Sequence, residues 1–232
     1  MCVEKGKQTM CGRFTLHHDA AEIAERFAAE VEPLLEPRYN IAPTQPVVAV
    51  LQEEARSIQR LRWGLVPSWA KDPGIGSRLI NARVETIAEK PSFRTALARR
   101  RCLIPADGFY EWREADTPEE GGRTPMHIRR RDGGLFAFAG LWEEWHAPDG
   151  APLRTCTIIT GTPNPLMAPI HDRMPMILRR EDEDEWLEPG SRDTQSLLSL
   201  LAPYPAADME AFAVPRQVNS PAVDTPANIA RV

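Results

Sequence analysis

Cysteine is scarce. Only four occur in 232 residues, at positions 2, 11, 102 and 156, and no two form a CxxC pair. That spacing excludes a zinc ribbon, a redox dithiol and a disulfide framework. Lysine is also rare, four against twenty-four arginines. No apolar run reaches the ~18 residues of a membrane helix. The opening MCVEKGKQTM has no apolar stretch after its lysines, so no secretory signal is read there and a cytoplasmic protein is expected. The five histidines (17, 18, 127, 146 and 171) show no ligand spacing with the cysteines, so neither a metal nor a cofactor is expected. His17-His18 precedes the first helical pattern and reads as solvated. No phosphate loop, nucleophile elbow or HExxH helix is present.

What is present suits one soluble domain. Hydrophobic residues make up 42% of the chain, enough for a sizeable core. A net charge of -5 does not suggest nucleic acid, but its distribution does. From Arg56 to Arg101 there are eleven Lys or Arg against three acids, while acids gather at Glu181–Glu185. Arginine's planar fork suits phosphate, although a GC-rich genome gives the same bias.

Asp19–Val31 has apolar residues at Ala20, Ile23, Ala24, Phe27 and Ala28, which predicts an amphipathic helix capped by Asp19. Short β-rich runs follow at Val47–Leu51, Ser57–Trp63, Leu79–Val84, Arg101–Trp112, Met126–Arg131, Leu135–Leu141, Thr155–Thr160 and Met174–Leu178. Asp132-Gly133-Gly134 reads as a hairpin turn. Glu181–Leu187 and Thr194–Leu201 read as helices, and 114–124 as a mobile loop. This pattern predicts a single α+β domain on a curled mixed or antiparallel sheet or barrel-like core with a few flanking helices. Cys102 and Cys156 sit in apolar runs and read as buried and inert.

Four islands mix polar residues into apolar strands: Cys11–Phe14, Asn81–Glu85, Asp107–Trp112 and Ile170–Pro175. Singly, each has an ordinary structural reading: a paired carboxylate at Glu111, a turn at His171, a sheet edge at Asn81. Together they supply a thiol, a carboxylate, an imidazole and an amide. With RYNIAPTQ (38–45), RWGLVPSW (62–69), LINARVET (79–86), CLIPADGFYEW (102–112), FAGLWEEW (138–145), TIITGTPN (157–164) and IHDRMPMIL (170–178), in order after MCGRF (10–14), the chain resembles the SRAP family (SOS-response-associated peptidase), the abasic-site processing proteins.

The resemblance implies a cysteine exposed at the N-terminus, and its motif matches Cys11, not Cys2. Residues 1–10 are then an extension before a domain at 11–232. Met10 is the natural start, or the leader is removed by the protein itself, or the leader stays and the chemistry is lost. The implied partner is single-stranded DNA containing abasic sites, bound by a monomer. An α-amine with pKa ~7.7–8.0 is roughly one-fifth neutral near pH 7, where lysine at ~10.4 is roughly one-thousandth neutral. It forms an imine with the sugar aldehyde, and the adjacent thiol closes a thiazolidine. By resemblance, Glu111 shuttles protons, His171 protonates the ring oxygen and Asn81 orients the reactants. Arg83 holds a flanking phosphate, with Arg13 and Arg173 as weaker phosphate contacts. Trp69, with Pro43 and Pro67, stacks on bases; the bland reading of Trp69 is core packing. Removal of its own leader and weak lyase action are further implications. Two other readings stay open: a non-covalent single-strand binder, and an N-terminal-nucleophile thiol hydrolase.

Overall fold

The computed structural model describes residues 11–29, 36–114, 122–190 and 193–232. Cys2, Met10 and the rest of the leader lie outside them, as do the expected helix end at Val31 and most of the loop at 114–124. The elements begin with β1 (Phe14–Leu16), α1 (Ala20–Phe27), β2 (Arg38–Ile41), β3 (Pro46–Gln52), β4 (Arg56–Trp63), β5 (Asn81–Arg83), α2 (Arg94–Arg99), β6 (Arg101–Ala106) and β7 (Gly108–Arg113). They continue with β8 (Thr124–Arg130), β9 (Phe136–His146), β10 (Pro152–Gly161), β11 (Met174–Pro175), α3 (Glu183–Leu187), α4 (Thr194–Ser199) and β12 (Met209–Ala213).

The strands form an α+β domain on a barrel core. One sheet has the order β12-β8-β7-β1-β2 and is antiparallel throughout. In the other, β10, β4, β3, β6 and β9 pair in turn, and β9 pairs back to β10, closing a five-stranded barrel. Closure leaves no free edge within that ring. β5 and β11 attach to the end of β10.

Two sequence expectations need correction. Arg101–Trp112 is not one strand: β6 belongs to the barrel and β7 to the open sheet, with Asp107 at the corner. Asp132-Gly133-Gly134 does not close a hairpin, because β8 pairs with β7 and β12 while β9 pairs with β6 and β10. Its turn carries the chain from one sheet to the other. A local turn signal cannot tell these outcomes apart, since the partner strand is chosen by packing.

α1 forms for local reasons. Asp19 accepts from Glu22 N–H at 2.9 Å and its own N–H donates to the Glu22 carboxylate at 3.1 Å, a reciprocal capping box. Ile23 and Phe27, one turn apart, are its buried face, and Ala28 ends it in the left-handed region at φ 48°. The two sheets are held together by aromatic contacts. Phe14 of β1 sits edge-on to Trp63 at 5.3 Å and to Phe138 at 5.7 Å, and Phe109 of β7 to Phe138 at 6.0 Å. Truncating such a residue costs ~3–5 kcal/mol, so this contact fixes β1 and β7 against the barrel. Cys102 and Cys156 are fully buried, as expected, and burial pushes both thiols up in pKa.

Candidate active site

Cys11 meets Glu111 because β1 is zipped to β7. Phe14 pairs with Phe109, Thr15 with Gly108, and Tyr110 N–H donates to Arg13 O at 3.0 Å just before the strand. Alternation on β7 puts Phe109 and Glu111 on the barrel-facing side. Tyr110 faces away, into a second cluster with Phe212, Val214 and Val218. Glu111 is therefore only 1% exposed. The main-chain N–H of Cys11 donates to its Oε1 at 2.8 Å.

Asn81 and His171 arrive through β10. β5 lies alongside its end, Asn81 opposite Ile158, and β11 pairs there too, Pro175 opposite Thr160. Asn81 Nδ2 donates to the carbonyl of Cys11 at 3.3 Å. His171 N–H donates to Met167 O at 2.9 Å, and His171 Nδ1 accepts the N–H of Arg173 at 3.0 Å. The hydrogen of the neutral ring then sits on Nε2. This Nε2 is buried, has no hydrogen-bond partner among the described residues, and lies 3.9 Å from Glu111 Oε2. All four residues expected to do chemistry thus converge.

The electrostatics of the pair follow from burial. Removal from water pushes the Glu111 carboxyl above its ordinary range, partly offset by His171 and by the Cys11 hydrogen bonds. Burial, and the adjacent carboxylate, push the Cys11 thiol up as well. Such a site keeps the thiol protonated and sets beside it a carboxyl group that holds its proton more tightly than an exposed one.

The outer residues divide. Arg83 is exposed, on the same face of β5 as Asn81. Trp69 is 59% exposed, which excludes its core-packing reading. Pro43 is half-buried. Pro67 is buried and offers no face to a base; its carbonyl accepts Ala70 N–H at 2.9 Å in the turn that presents Trp69. Arg13 is committed to the fold, its guanidinium donating to Asn40 Oδ1, Val218 O and Asn219 O at 2.8, 2.8 and 3.3 Å. Arg173 forks onto Glu85 at 2.6 and 2.8 Å and also reaches Thr160 O. Within the basic stretch, Arg56 pairs with Asp184 and Arg100 with Glu143. Arg101 is buried against the carbonyls of Leu97, Ala98, Trp186 and Glu188. Lys71, Arg78, Arg83, Lys90, Arg94 and Arg99 are exposed.

His17 and His18 are not simply solvated: both rings close on the buried Asp107 carboxylate. Sequence reading gave no role to Asp107 or Glu85. Only the period of two in Asn81-Ala82-Arg83-Val84-Glu85 hinted that Glu85 shares a face with Asn81.

A family model described as SOS response associated peptidase (SRAP) matches residues 10–221. The chain belongs to the SRAP family. It is 50% identical over 221 residues to the abasic site processing protein YoqW of Bacillus subtilis (strain 168), covering 94% of this chain and 97% of that one. It is 34% identical over 238 residues to the abasic site processing protein HMCES of Pongo abelii, covering 84% of this chain and 65% of that one. A crystal structure of a protein from Bacteroides thetaiotaomicron superposes with a TM-score of 0.86 at 28% identity, covering 96% of this chain and all of that one. The SRAP match starts at Met10, next to the cysteine that donates to Glu111. No helix among the described residues is long and apolar enough to cross a membrane.

Proposed function

We propose that this chain processes abasic sites in single-stranded DNA by trapping them covalently on Cys11. The observation that carries the proposal is the 2.8 Å contact between the Cys11 nitrogen and the buried Glu111 carboxylate, with His171 Nε2 3.9 Å from the other oxygen. A nitrogen beside a proton acceptor, a thiol on the next carbon but one, and a second acid close by are what imine formation and ring closure need.

With Cys11 as the terminus, the steps balance as follows. His171 gives a proton to the ring oxygen of the sugar and recovers one from the anomeric hydroxyl as the ring opens to the aldehyde. Glu111 takes a proton from the Cys11 ammonium, and the amine adds to the aldehyde carbon. Glu111 returns the proton to the departing hydroxyl, water leaves, and the iminium nitrogen gives its remaining proton to Glu111, leaving an imine. The thiol sulfur then adds to the imine carbon while its proton passes to the nitrogen, closing the thiazolidine. One water and the ammonium's proton are released and nothing is oxidised. Asn81, donating to the Cys11 carbonyl, holds the residue in place. The imine is also where β-elimination starts, which supports weak lyase action.

Exposure of the amine requires loss of residues 1–10. Cys11 has φ 26°, a left-handed conformation that costs a non-glycine residue ~1–2 kcal/mol. Cutting the bond before it abolishes that dihedral and its cost. The Cys11 thiol gives its proton to Glu111 and attacks the Met10 carbonyl, and Glu111 passes the proton to the departing nitrogen. The resulting thioester is hydrolysed by water. This supports peptidase action on the protein's own leader.

The test is a denaturing gel of abasic single-stranded DNA incubated with protein that starts at Cys11 and, in parallel, with the full 232-residue chain. A heat-stable shifted band from the first is the expected result. Binding in a native gel with no band after denaturation would replace the proposal with non-covalent binding through Trp69 and the basic face. A band from full-length chain that retains its leader would overturn the role of the Cys11 amine.

A further inference from the structure

A second cluster of titratable side chains lies further along the same two strands. Asp107, at the corner between β6 and β7, is 1% exposed. Its Oδ1 accepts the Thr15 hydroxyl at 2.5 Å. Its Oδ2 accepts the main-chain N–H of His17 at 2.5 Å and more distantly that of His18 at 3.3 Å. The same Oδ2 lies 2.8 Å from His17 Nδ1 and 3.1 Å from His18 Nδ1.

A carboxylate oxygen has two lone pairs. The His17 N–H takes one, leaving one for two imidazoles. His17 Nδ1 is accordingly buried without a hydrogen-bond partner among the described residues, although it sits against the oxygen. Protons alone satisfy this convergence poorly. A cation would satisfy it by taking a lone pair from each of the three atoms.

We propose that His17 Nδ1, His18 Nδ1 and Asp107 Oδ2 form a binding site for one divalent transition-metal ion of the zinc, cobalt or nickel class. The three ligand atoms lie within 4.8 Å of one another. Bonds of ~2.0–2.2 Å place neighbouring donors about 3 Å apart at right angles and about 3.4 Å apart in a tetrahedron, and the 2.8 and 3.1 Å separations lie close to this range. Two imidazoles and one carboxylate suit these ions, whereas calcium and magnesium take oxygen ligands. Outer contacts hold the donors in position: Thr15 fixes the other carboxylate oxygen, and the Tyr39 ring stacks on His17 with centroids 5.2 Å apart at 23°. The His17 and His18 side chains are 29% and 20% exposed, so the cluster lies close to the surface. The bound ion would tie the segment after β1 to the corner before β7, bracing the two strands that carry Cys11 and Glu111.

Untagged full-length protein is titrated with Zn²⁺ by calorimetry and with Co²⁺ by absorption. One ion per chain, a higher melting temperature with Zn²⁺, and a Co²⁺ spectrum without a thiolate charge-transfer band are expected. The His17→Ala/His18→Ala double variant, checked for folding by its metal-free melt, should lose binding by at least about tenfold. Absence of binding at a roughly tenfold excess of metal, a thiolate band pointing to Cys11, or unchanged affinity in the double variant would each overturn the site. None of these readouts depends on reaction with DNA.

Discussion

Cys11 and Glu111 stand a hundred residues apart in sequence, yet the nitrogen of one lies 2.8 Å from a carboxylate oxygen of the other. Residue 11 leads into a three-residue strand and residue 111 is enclosed between two sheets. The contact exists because Phe14 and Phe109 lock those strands to the barrel together.

Glu111→Gln keeps the shape and removes the proposed proton shuttle. Crosslinking to abasic DNA should slow by ~10²–10⁴-fold in a single-turnover gel assay. Stability should move the other way. A carboxyl whose pKa is raised by burial contributes stability fully present below its ordinary value of 4.5 and lost as pH rises through the raised one. The variant should therefore melt higher than the parent at pH 8, with the gap narrowing toward pH 4. A parent at least as stable as the variant at pH 8 would contradict the burial cost.

His127 gives the opposite slope. It is buried beside Tyr110 and Phe212, and desolvation lowers its pKa from 6.5 to about 3. Its depressed pKa makes the protein lose stability as pH falls from 6.5 toward 3, by ~1.4 kcal/mol per pH unit. In urea denaturation across that range, His127→Gln should show a flatter pH dependence than the parent. The comparison is of slopes, so a lower absolute stability of the variant does not affect it.

Trp69 is exposed, and its proposed role is in DNA binding rather than in folding. Trp69→Ala should leave the melting temperature within about a degree, since surface substitutions stay within ~0.5 kcal/mol. Affinity for single-stranded DNA should fall by the ~1–3 kcal/mol of a lost base stack, read by fluorescence anisotropy. An unchanged affinity with an unchanged melt would remove Trp69 from the interface.

Gly64 makes the arm that carries Trp69 possible. Its φ is 129°, and an added Cβ would stand 2.6 Å from the carbonyl oxygen of Gly76, a backbone atom that cannot swing aside. Gly64→Ala should destabilise the protein by ~2–4 kcal/mol in thermal or denaturant unfolding. A near-neutral substitution would mean that the 64–80 segment is not pinned by this approach.

The strand-rich α+β class, the first helix and the four reactive residue types were legible in the chain. Local chemistry dictates them: the period of two in β-rich runs, the capping pair Asp19 and Glu22, and islands of polar residues in apolar strands. Tertiary structure alone decided which strands pair. It sent β8 and β9 to different sheets across Asp132-Gly133-Gly134 and split the run at Asp107. It also withdrew Arg13, Arg101 and Arg173 into the fold and gathered His17 and His18 on a carboxylate some ninety residues away. A side chain's type sets what it can donate or accept, whereas its partner is fixed by how the whole core packs, and no local stretch of sequence encodes that.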